Sequence, residues 1–332
     1  MHFELSPAAN DLEQAASVFV ELKPRLFGIA YRVLGSAVEA EDVVQEVWLR
    51  WQRTDRSAVV SPVAFLTTTT TRAAINVATS ARMRRETYIG PWLPEPVDTS
   101  VDPAVGAQRA EGVEMALLLL LEKLNPTERA AYVLREAFAY GYPEIAGILR
   151  LSVVNVRKIV SRAREHLLAE RRETVDRAEH RRLVEAFVSA ARTGDVASLE
   201  AHLTSDTASL SDGNGVRGAA RIPVIGRTRV ANLAMGRPGF WRDADPRCVE
   251  ANGRTAVMIH RDGVPITLLA VAASPDGIHT LMWLWNPGKI AAFLDSRLRL
   301  LGPGGRGPSG GRAEVVEAPG WRRASGGGVC QD

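Results

Sequence analysis

The stretch SVVNVRKIVSRAREHL, residues 152–167, carries two sets of side chains at helical spacing. Val153, Val156, Ile159, Val160, Ala163 and Leu167 fall on one face, and Asn155, Arg157, Lys158, Ser161, Arg162 and Arg164 fall on the rest. A DNA-recognition helix needs that division: one face docks on a supporting helix, and the other offers donors to phosphates and base edges. Asn155 and Lys158, near the N-terminal end, are expected to enter the groove; Arg162 and Arg164 are expected to grip phosphates. Upstream, Tyr142–Leu149 and a break at Arg150-Leu151-Ser152 complete a helix-turn-helix outline, with Ser152 as the cap. A solvated basic face in an ordinary bundle has the same pattern.

Two further segments carry charge in blocks. From Arg56 to Arg85 there are five arginines and no acid. There Thr68, Thr71, Arg72, Asn76 and Ser80 precede the cluster Arg82, Arg84 and Arg85, a face able to hold a DNA strand by its phosphates while a nearby loop captures an unstacked base. In GSAVEAEDVVQEVWLRW, Glu39, Asp42 and Glu46 share a helix face beside Glu41 and Gln45, which suits docking on a basic protein surface. The first 172 residues hold 21 basic and 21 acidic side chains, so it is their segregation that points to two partners of opposite charge.

These groups sit on readable elements. Phe19, Leu22, Leu26, Ile29 and Val33 mark a first helix that Gly35 ends, and a second runs from about Ala37 to Trp51. Ser61-Pro62 opens a third, whose threonines at 67–71 are poor helix formers and need tertiary support. Gly90–Pro96, with three prolines around Trp92-Leu93, can be neither helix nor strand interior. Helices are expected at Pro103–Leu124 and from Pro126 to about Ala139. Beyond His180 the texture changes to one or two helices (Arg181–Ala191, Val196–His202), then the stretch Thr204–Leu210 and the glycine-rich run Asp212-Gly213-Asn214-Gly215. A loop leading into a helix follows at Ala219–Met235. Strands follow at Thr255–His260, Ile266–Ala272 and His279–Trp285, punctuated by Asp262-Gly263 and Asp276-Gly277. Gly302–Asp332 has ten glycines in 31 residues and no apolar period, so disorder is expected.

The 332 residues suit two or three domains, and a 46% apolar fraction supplies real cores. Two cysteines, Cys248 and Cys330, are too few for a disulfide framework or a thiolate metal cluster. The acidic N-terminus lacks a signal-peptide pattern and the longest apolar run, Met115–Leu121, is too short for a bilayer, so a cytoplasmic protein with no membrane partner is expected.

Taken in order, these segments resemble the extracytoplasmic-function sigma factors of bacterial RNA polymerase. LFGIAYRVLGSAVEAEDVVQEVWLRW resembles the part that binds the β′ clamp helices, SPVAFLTTTTTRAAINVATSARMRRE the part that melts and reads the −10 element, and LNPTERAAYVLREAFAYGYPEIAGILRLSVVNVRKIVSRAREHL the region 4 that reads the −35 element. The GPWLPEP segment is similar to the linker of a subgroup with a C-terminal SnoaL-like domain, an α+β cone. That subgroup's DGGGK-like and NPDKL-like stretches correspond to Asp212-Gly213-Asn214-Gly215-Val216 and Asn286-Pro287-Gly288-Lys289-Ile290; Val216 replaces a lysine and Gly288 an aspartate, so any ion pair resting on those two is absent.

The resemblance implies two all-α sigma domains followed by an α+β SnoaL-like domain. Region 2 would occupy residues 10–88, the Pro-rich linker 89–102, region 4 103–174, the regulatory domain 178–300 and a tail 301–332. It implies −35 contacts by Asn155, Arg157, Lys158, Ser161, Arg162 and Arg164, and −10 contacts by Thr68, Thr71, Arg72, Asn76, Arg82, Arg84 and Arg85. Core-polymerase contacts fall to Glu39, Glu41, Asp42, Gln45 and Glu46. Regulation between domains falls to Trp92, Leu93, Pro94, Glu95 and Pro96 with Asp212, Gly213, Asn214, Gly215, Asn286, Pro287 and Lys289; Trp92 would pack on the C-terminal domain. The partners implied are core polymerase (β′ clamp helices and β flap), promoter DNA and the chain's own C-terminal domain, with no separate anti-sigma factor, no cofactor and no metal. Two other readings stay open: a one-component regulator with a ligand-sensing domain, and a SnoaL-like enzyme using His260, Asp262 or Asp212 among Trp241, Trp283 and Trp285.

Overall fold

The computed structural model describes residues 7–85, 87–100, 114–236 and 239–300. They divide into two compact units, one built from the chain up to Glu86 with Leu117–Arg171, the other from Thr87–Ala116 with the chain from Arg172 onward.

In the first unit, α1 (Pro7–Leu34) and α2 (Ala37–Arg53) are separated by Gly35, whose φ of 66° favours glycine. Ser36 caps α2 by accepting from the Glu39 amide. The helix α3 (Pro62–Arg85) starts at Ser61, which accepts from the Ala64 amide. Its threonines are accommodated with the hydroxyls of Thr69, Thr71 and Thr79 each donating to the carbonyl four residues back, and burial of Thr67, Thr70 and Thr71 supplies the tertiary support such a helix needs. Leu26, Ala30 and Val33 of α1, Val43, Val47 and Trp51 of α2 and Leu66 and Ala74 of α3 are buried. Trp51 also donates its indole N–H to the Ala15 carbonyl at 3.1 Å.

The unit is completed by α4 (Met115–Leu121), α5 (Pro126–Glu136), α6 (Tyr142–Leu149) and α7 (Val153–Leu168). The expected helix over Pro103–Leu124 is described only from Met115; its earlier part lies outside the described residues, as does the tail beyond Leu300. Asn125 and Glu128 cap α5 reciprocally, with Pro126 at its first position. The core of α5–α7 takes in Ile29 of α1 together with Leu134, Ile145, Ile148, Val156 and Val160. Arg129, almost fully buried, secures this packing: it donates to the Val33 carbonyl at 2.8 Å and grips Glu122 with both terminal nitrogens.

The second unit is a six-stranded sheet, order β2-β1-β6-β5-β4-β3, parallel only between β1 and β6. Its strands are β1 (Leu203–Asp212), β2 (Val224–Ile225), β3 (Asp245–Ala251), β4 (Arg254–Arg261), β5 (Val264–Ser274) and β6 (Gly277–Leu284). One face packs on α8 (Arg177–Thr193), α9 (Val196–His202) and α10 (Arg227–Ala234), through Val184, Phe187, Leu199, Val230, Val257, Leu269, Leu281 and Trp283. Alternate residues Met258, Leu268, Met282 and Leu284 are buried on the other face, where α11 (Pro287–Leu300) packs on β5. The strand β3 and the helix α11 were not expected from the sequence.

Candidate functional site

The helix-turn-helix is α6 and α7. Glu144 accepts from the Gly141 amide at the start of α6, and Arg150 leaves that helix in the left-handed region at φ 55°. Ser152 caps α7 by accepting from the Asn155 amide at 3.2 Å. Burial of Val156, Val160, Ala163 and Leu167 points the opposite face outward, and Asn155, Arg157, Lys158, Ser161, Arg162 and Arg164 are all exposed. Arg157 lies over the Tyr142 ring at 5.5 Å, Ser161 donates to Glu165, and Arg164 pairs with Glu136 at 2.6 Å. One exposed group was missed: Val154, 68% exposed at the second position of α7. An apolar side chain among polar neighbours near the N-terminal end of the helix was the available signal.

On α3, Thr68, Arg72, Asn76 and Ser80 recur every four residues along one face, and Arg82 is exposed. Thr71 does not belong to that face. It is buried and its hydroxyl bonds the Thr67 carbonyl, so the expectation that it contacts DNA is corrected. Arg72 donates from Nε to the Ile148 carbonyl at 2.7 Å and from Nη2 to Gly147 at 3.0 Å, which ties α3 to the C-terminal end of α6. Thr67 and Tyr140 share a 2.9 Å hydroxyl contact along the same seam. Arg84 and Arg85 end α3 with side chains outside the described residues. On α2 the exposed stripe is Val38, Asp42, Gln45, Glu46 and Leu49; Glu39 and Glu41 are half-buried, and Glu41 lies 3.9 Å from Lys23.

In the second unit the Pro-rich segment is anchored at both ends. Asp212, fully buried at the end of β1, accepts from the Leu93 amide at 2.7 Å, from Lys289 at 2.6 Å and from the Tyr88 hydroxyl. Lys289 also donates to the Leu93 carbonyl and lies 4.1 Å from the centre of the Trp92 ring, a cation–π contact. Asn286 donates to Tyr88 at 2.9 Å. Burial, reinforced by the Asp212 hydrogen bond, pushes the Tyr88 phenol well above its ordinary value. Farther along, Val97 and Asn252 bond reciprocally, and Asp98 pairs with Ala251 of β3 like an added strand. Pro94 and Pro96 are buried and Glu95 is half-buried. Gly213 is required, because a Cβ there would lie 2.5 Å from that of Ala219, and Asn214-Gly215 make the turn with positive φ. The degraded motifs therefore still make an ion pair, from the retained Asp212 and Lys289, with Pro287 opening α11.

Of the residues considered for catalysis, Trp241, Trp283 and Asp212 have packing or linker-anchoring roles. Trp241 and Trp283 are buried and form a cluster of aromatics with Phe240 and Trp285, neighbouring centroids 5.1–6.5 Å apart, packed into the core of the sheet and helices. Asp212 serves the linker, and burial lowers the pKa of His260. Among the described residues no group of histidine, cysteine and carboxylate side chains could hold a metal, and no helix is long and apolar enough to cross a membrane.

A capped helix-turn-helix with an outward basic face, packed on a three-helix bundle that bears an acidic stripe, defines a DNA-reading transcription protein. The Sigma-70 region 2 family matches residues 18–85, and Sigma-70, region 4 matches residues 114–167. The ECF RNA polymerase sigma factor SigJ of Mycobacterium tuberculosis (strain ATCC 25618 / H37Rv) is 36% identical over 225 residues, 66% of this chain and 72% of that one. The probable ECF RNA polymerase sigma factor SigI of Mycobacterium tuberculosis (strain CDC 1551 / Oshkosh) is 33% identical over 272 residues, 80% of this chain and 91% of that one. The crystal structure of Mycobacterium tuberculosis SigJ matches with a TM-score of 0.68 at 30% identity, covering 83% of this chain and 98% of that chain. The chain belongs to the extracytoplasmic-function RNA polymerase sigma factors and carries an additional C-terminal mixed α/β domain.

Proposed function

We propose that this sigma factor, acting in the cytoplasm, reads the −35 element with α7 and the −10 element with the exposed face of α3, and docks on the β′ clamp helices through α2. In this reading Asn155 and Lys158 meet base edges while Arg157 and Arg162 hold phosphates; Arg164 can reach one only by leaving Glu136. Asp42, Gln45 and Glu46 are the polymerase contacts, flanked by the apolar Val38 and Leu49. Thr68, Asn76 and Arg82, with Arg84 and Arg85, follow the −10 strand; Arg72 can join them only by leaving the Gly147 and Ile148 carbonyls.

The C-terminal unit, a SnoaL-like domain in this reading, is a regulator in cis rather than an enzyme, and it takes the place of a separate anti-sigma factor. The observation that carries this is the anchoring of the linker: the chain leaving α3 is held by Asp212, Lys289 and Asn252 of that domain. A domain that grips the segment between the two DNA-reading regions can bias promoter binding by holding or releasing it.

Run-off transcription with bacterial core polymerase tests the reading. The template is the upstream region of a neighbouring gene, and the chain is compared with its Lys289→Met variant. A specific transcript is expected from the wild type, and a changed yield from the variant gives the sign of control. No transcript and no core binding would overturn the sigma assignment of these faces; equal yields would overturn regulation through the linker.

A further inference from the structure

Between Asp212 and Asp243 the chain carries six arginines and no aspartate, glutamate or lysine. Arg237 lies outside the described residues; Arg217, Arg221, Arg227, Arg229 and Arg242 are all exposed. Elsewhere among the described residues of this unit Arg172, Arg181, Arg182, Arg247 and Arg254 each lie within 4.0 Å of a carboxylate, whereas Arg177, Arg192 and Arg261 do not. Among the described residues, Arg217, Arg221, Arg227 and Arg229 have no such partner. Like charges left uncompensated on one surface repel one another, and an anion relieves that repulsion.

The four arginines lie on adjoining segments of the chain at one edge of the sheet. Arg217 and Arg221 lie on the connection from β1 to β2, which is the outermost strand of the sheet, and Arg227 and Arg229 form the first turn of α10. That helix begins at Gly226, which supplies no side-chain cap, so its first amides are open to an acceptor. At about 3.3 Å per residue the chain from Arg221 to Arg227 spans at most ~20 Å, some six steps of a duplex strand at ~3.4 Å each. Guanidinium groups suit that partner, because their planar fork takes a phosphate with two parallel bonds.

The edge also adjoins the linker: a Cβ on Gly90 would lie 3.5 Å from the Arg221 backbone. Tyr88, already anchored, follows by three residues the end of α3 at Arg85. We propose that the β2–α10 edge is a phosphate-binding surface that holds promoter duplex, adding sequence-independent affinity to the reading by α3 and α7. The inference rests on the assignment of those helices to DNA. Ile222 and Ile225 are exposed on the same edge, which makes an acidic protein surface the competing occupant.

Fluorescence anisotropy of the full chain with a labelled mixed-sequence duplex, titrated from about 50 to 200 mM salt, tests it. Each phosphate contact contributes about 0.9 to the log–log slope, so Arg221→Gln/Arg227→Gln/Arg229→Gln should flatten the slope by about two to three units. The same three positions changed to lysine should keep most of it, and neither variant should lose core-polymerase affinity or melt early. An unchanged slope overturns the proposal, as does a wild-type chain that fails to bind duplex at the low-salt end. A glutamine variant with wild-type slope but weakened core binding assigns the edge to protein instead. Loss of core binding by the wild type would sink the sigma assignment while leaving the slope comparison readable.

Discussion

The ammonium of Lys289 sits 2.6 Å from Asp212 Oδ2, with 5% and 0% of the two residues exposed. A buried pair of this kind is worth little against a well-packed apolar replacement, but breaking it strands a charge. Lys289→Met therefore leaves Asp212 with only the Leu93 amide and Tyr88 as donors. A loss of about 3–5 kcal/mol is expected for the C-terminal unit, read from urea denaturation. Hydrogen exchange should accelerate across residues 88–99 more than across β5, because the variant removes the linker's clamp and not the sheet. Uniform acceleration would show that the pair supports the whole domain rather than the linker.

Three histidines are expected to make the same unit sensitive to acid. His279 is held down to about 4 by burial and then by Arg172, and burial likewise lowers His180 and His260. His180 donates from Nε2 to the Val271 carbonyl at 2.9 Å and is nearly sealed from solvent. A depressed histidine stays neutral in the fold while the unfolded chain, titrating near 6.5, takes up a proton. The unfolded state then binds more protons between about pH 6.5 and 4, so stability falls as pH drops through that window. Melting temperatures across this range should decline, and His279→Gln should make the decline shallower.

The seam between α3 and the helix-turn-helix depends on Arg72. Its guanidinium serves two carbonyls at the end of α6, where the helix dipole also favours a cation. Hydrogen bonds to charged donors contribute roughly 1.5–3 kcal/mol, so Arg72→Ala should lower the stability of the first unit by about 2–3 kcal/mol. Arg72→Lys offers a point charge in place of the fork and should recover only part of that loss. A destabilisation below about 0.5 kcal/mol, the range of ordinary surface substitutions, would mean that the Thr67–Tyr140 contact and the packing of α1 on α5–α7 hold the helix-turn-helix in place without Arg72.

Where periodicity, caps and turns spoke together, the sequence was legible. The helix-turn-helix was read with Tyr142–Leu149 and Val153 as bounds because the break at Arg150-Leu151-Ser152, the Ser152 cap and the 3.6-residue spacing agree. The strand β3, DPRCVEA, hid behind three charged residues that an edge strand can keep in water, although Asn252-Gly253 marks its hairpin to β4 with two positive φ values. The helix α11 was obscured by the Pro-Gly pair at its start. Thr71 was misplaced because five consecutive threonines give no polarity contrast, and only the packed partner decides which face is inside. The Asp212–Lys289 pair joins residues 77 apart, and no local pattern announces which degraded motif positions still meet.

Val154 offers a methyl-bearing surface near the N-terminal end of α7, the end proposed to enter the groove, beside Asn155 and Lys158. In the major groove the apolar mark of a base pair is the thymine C5-methyl, and an exposed valine is a fitting partner for it. Covering one methyl group is worth about 0.8 kcal/mol, or roughly a fourfold change in affinity. Replacing each thymine of the −35 element in turn by uracil should weaken the wild-type holoenzyme by about that factor at one position. Val154→Ala should weaken binding to the thymine template by a similar amount and abolish the difference between thymine and uracil there, without altering the salt slope. If the variant keeps the same methyl preference at every position, Val154 does not face a base, and the specificity of α7 rests on its polar side chains alone.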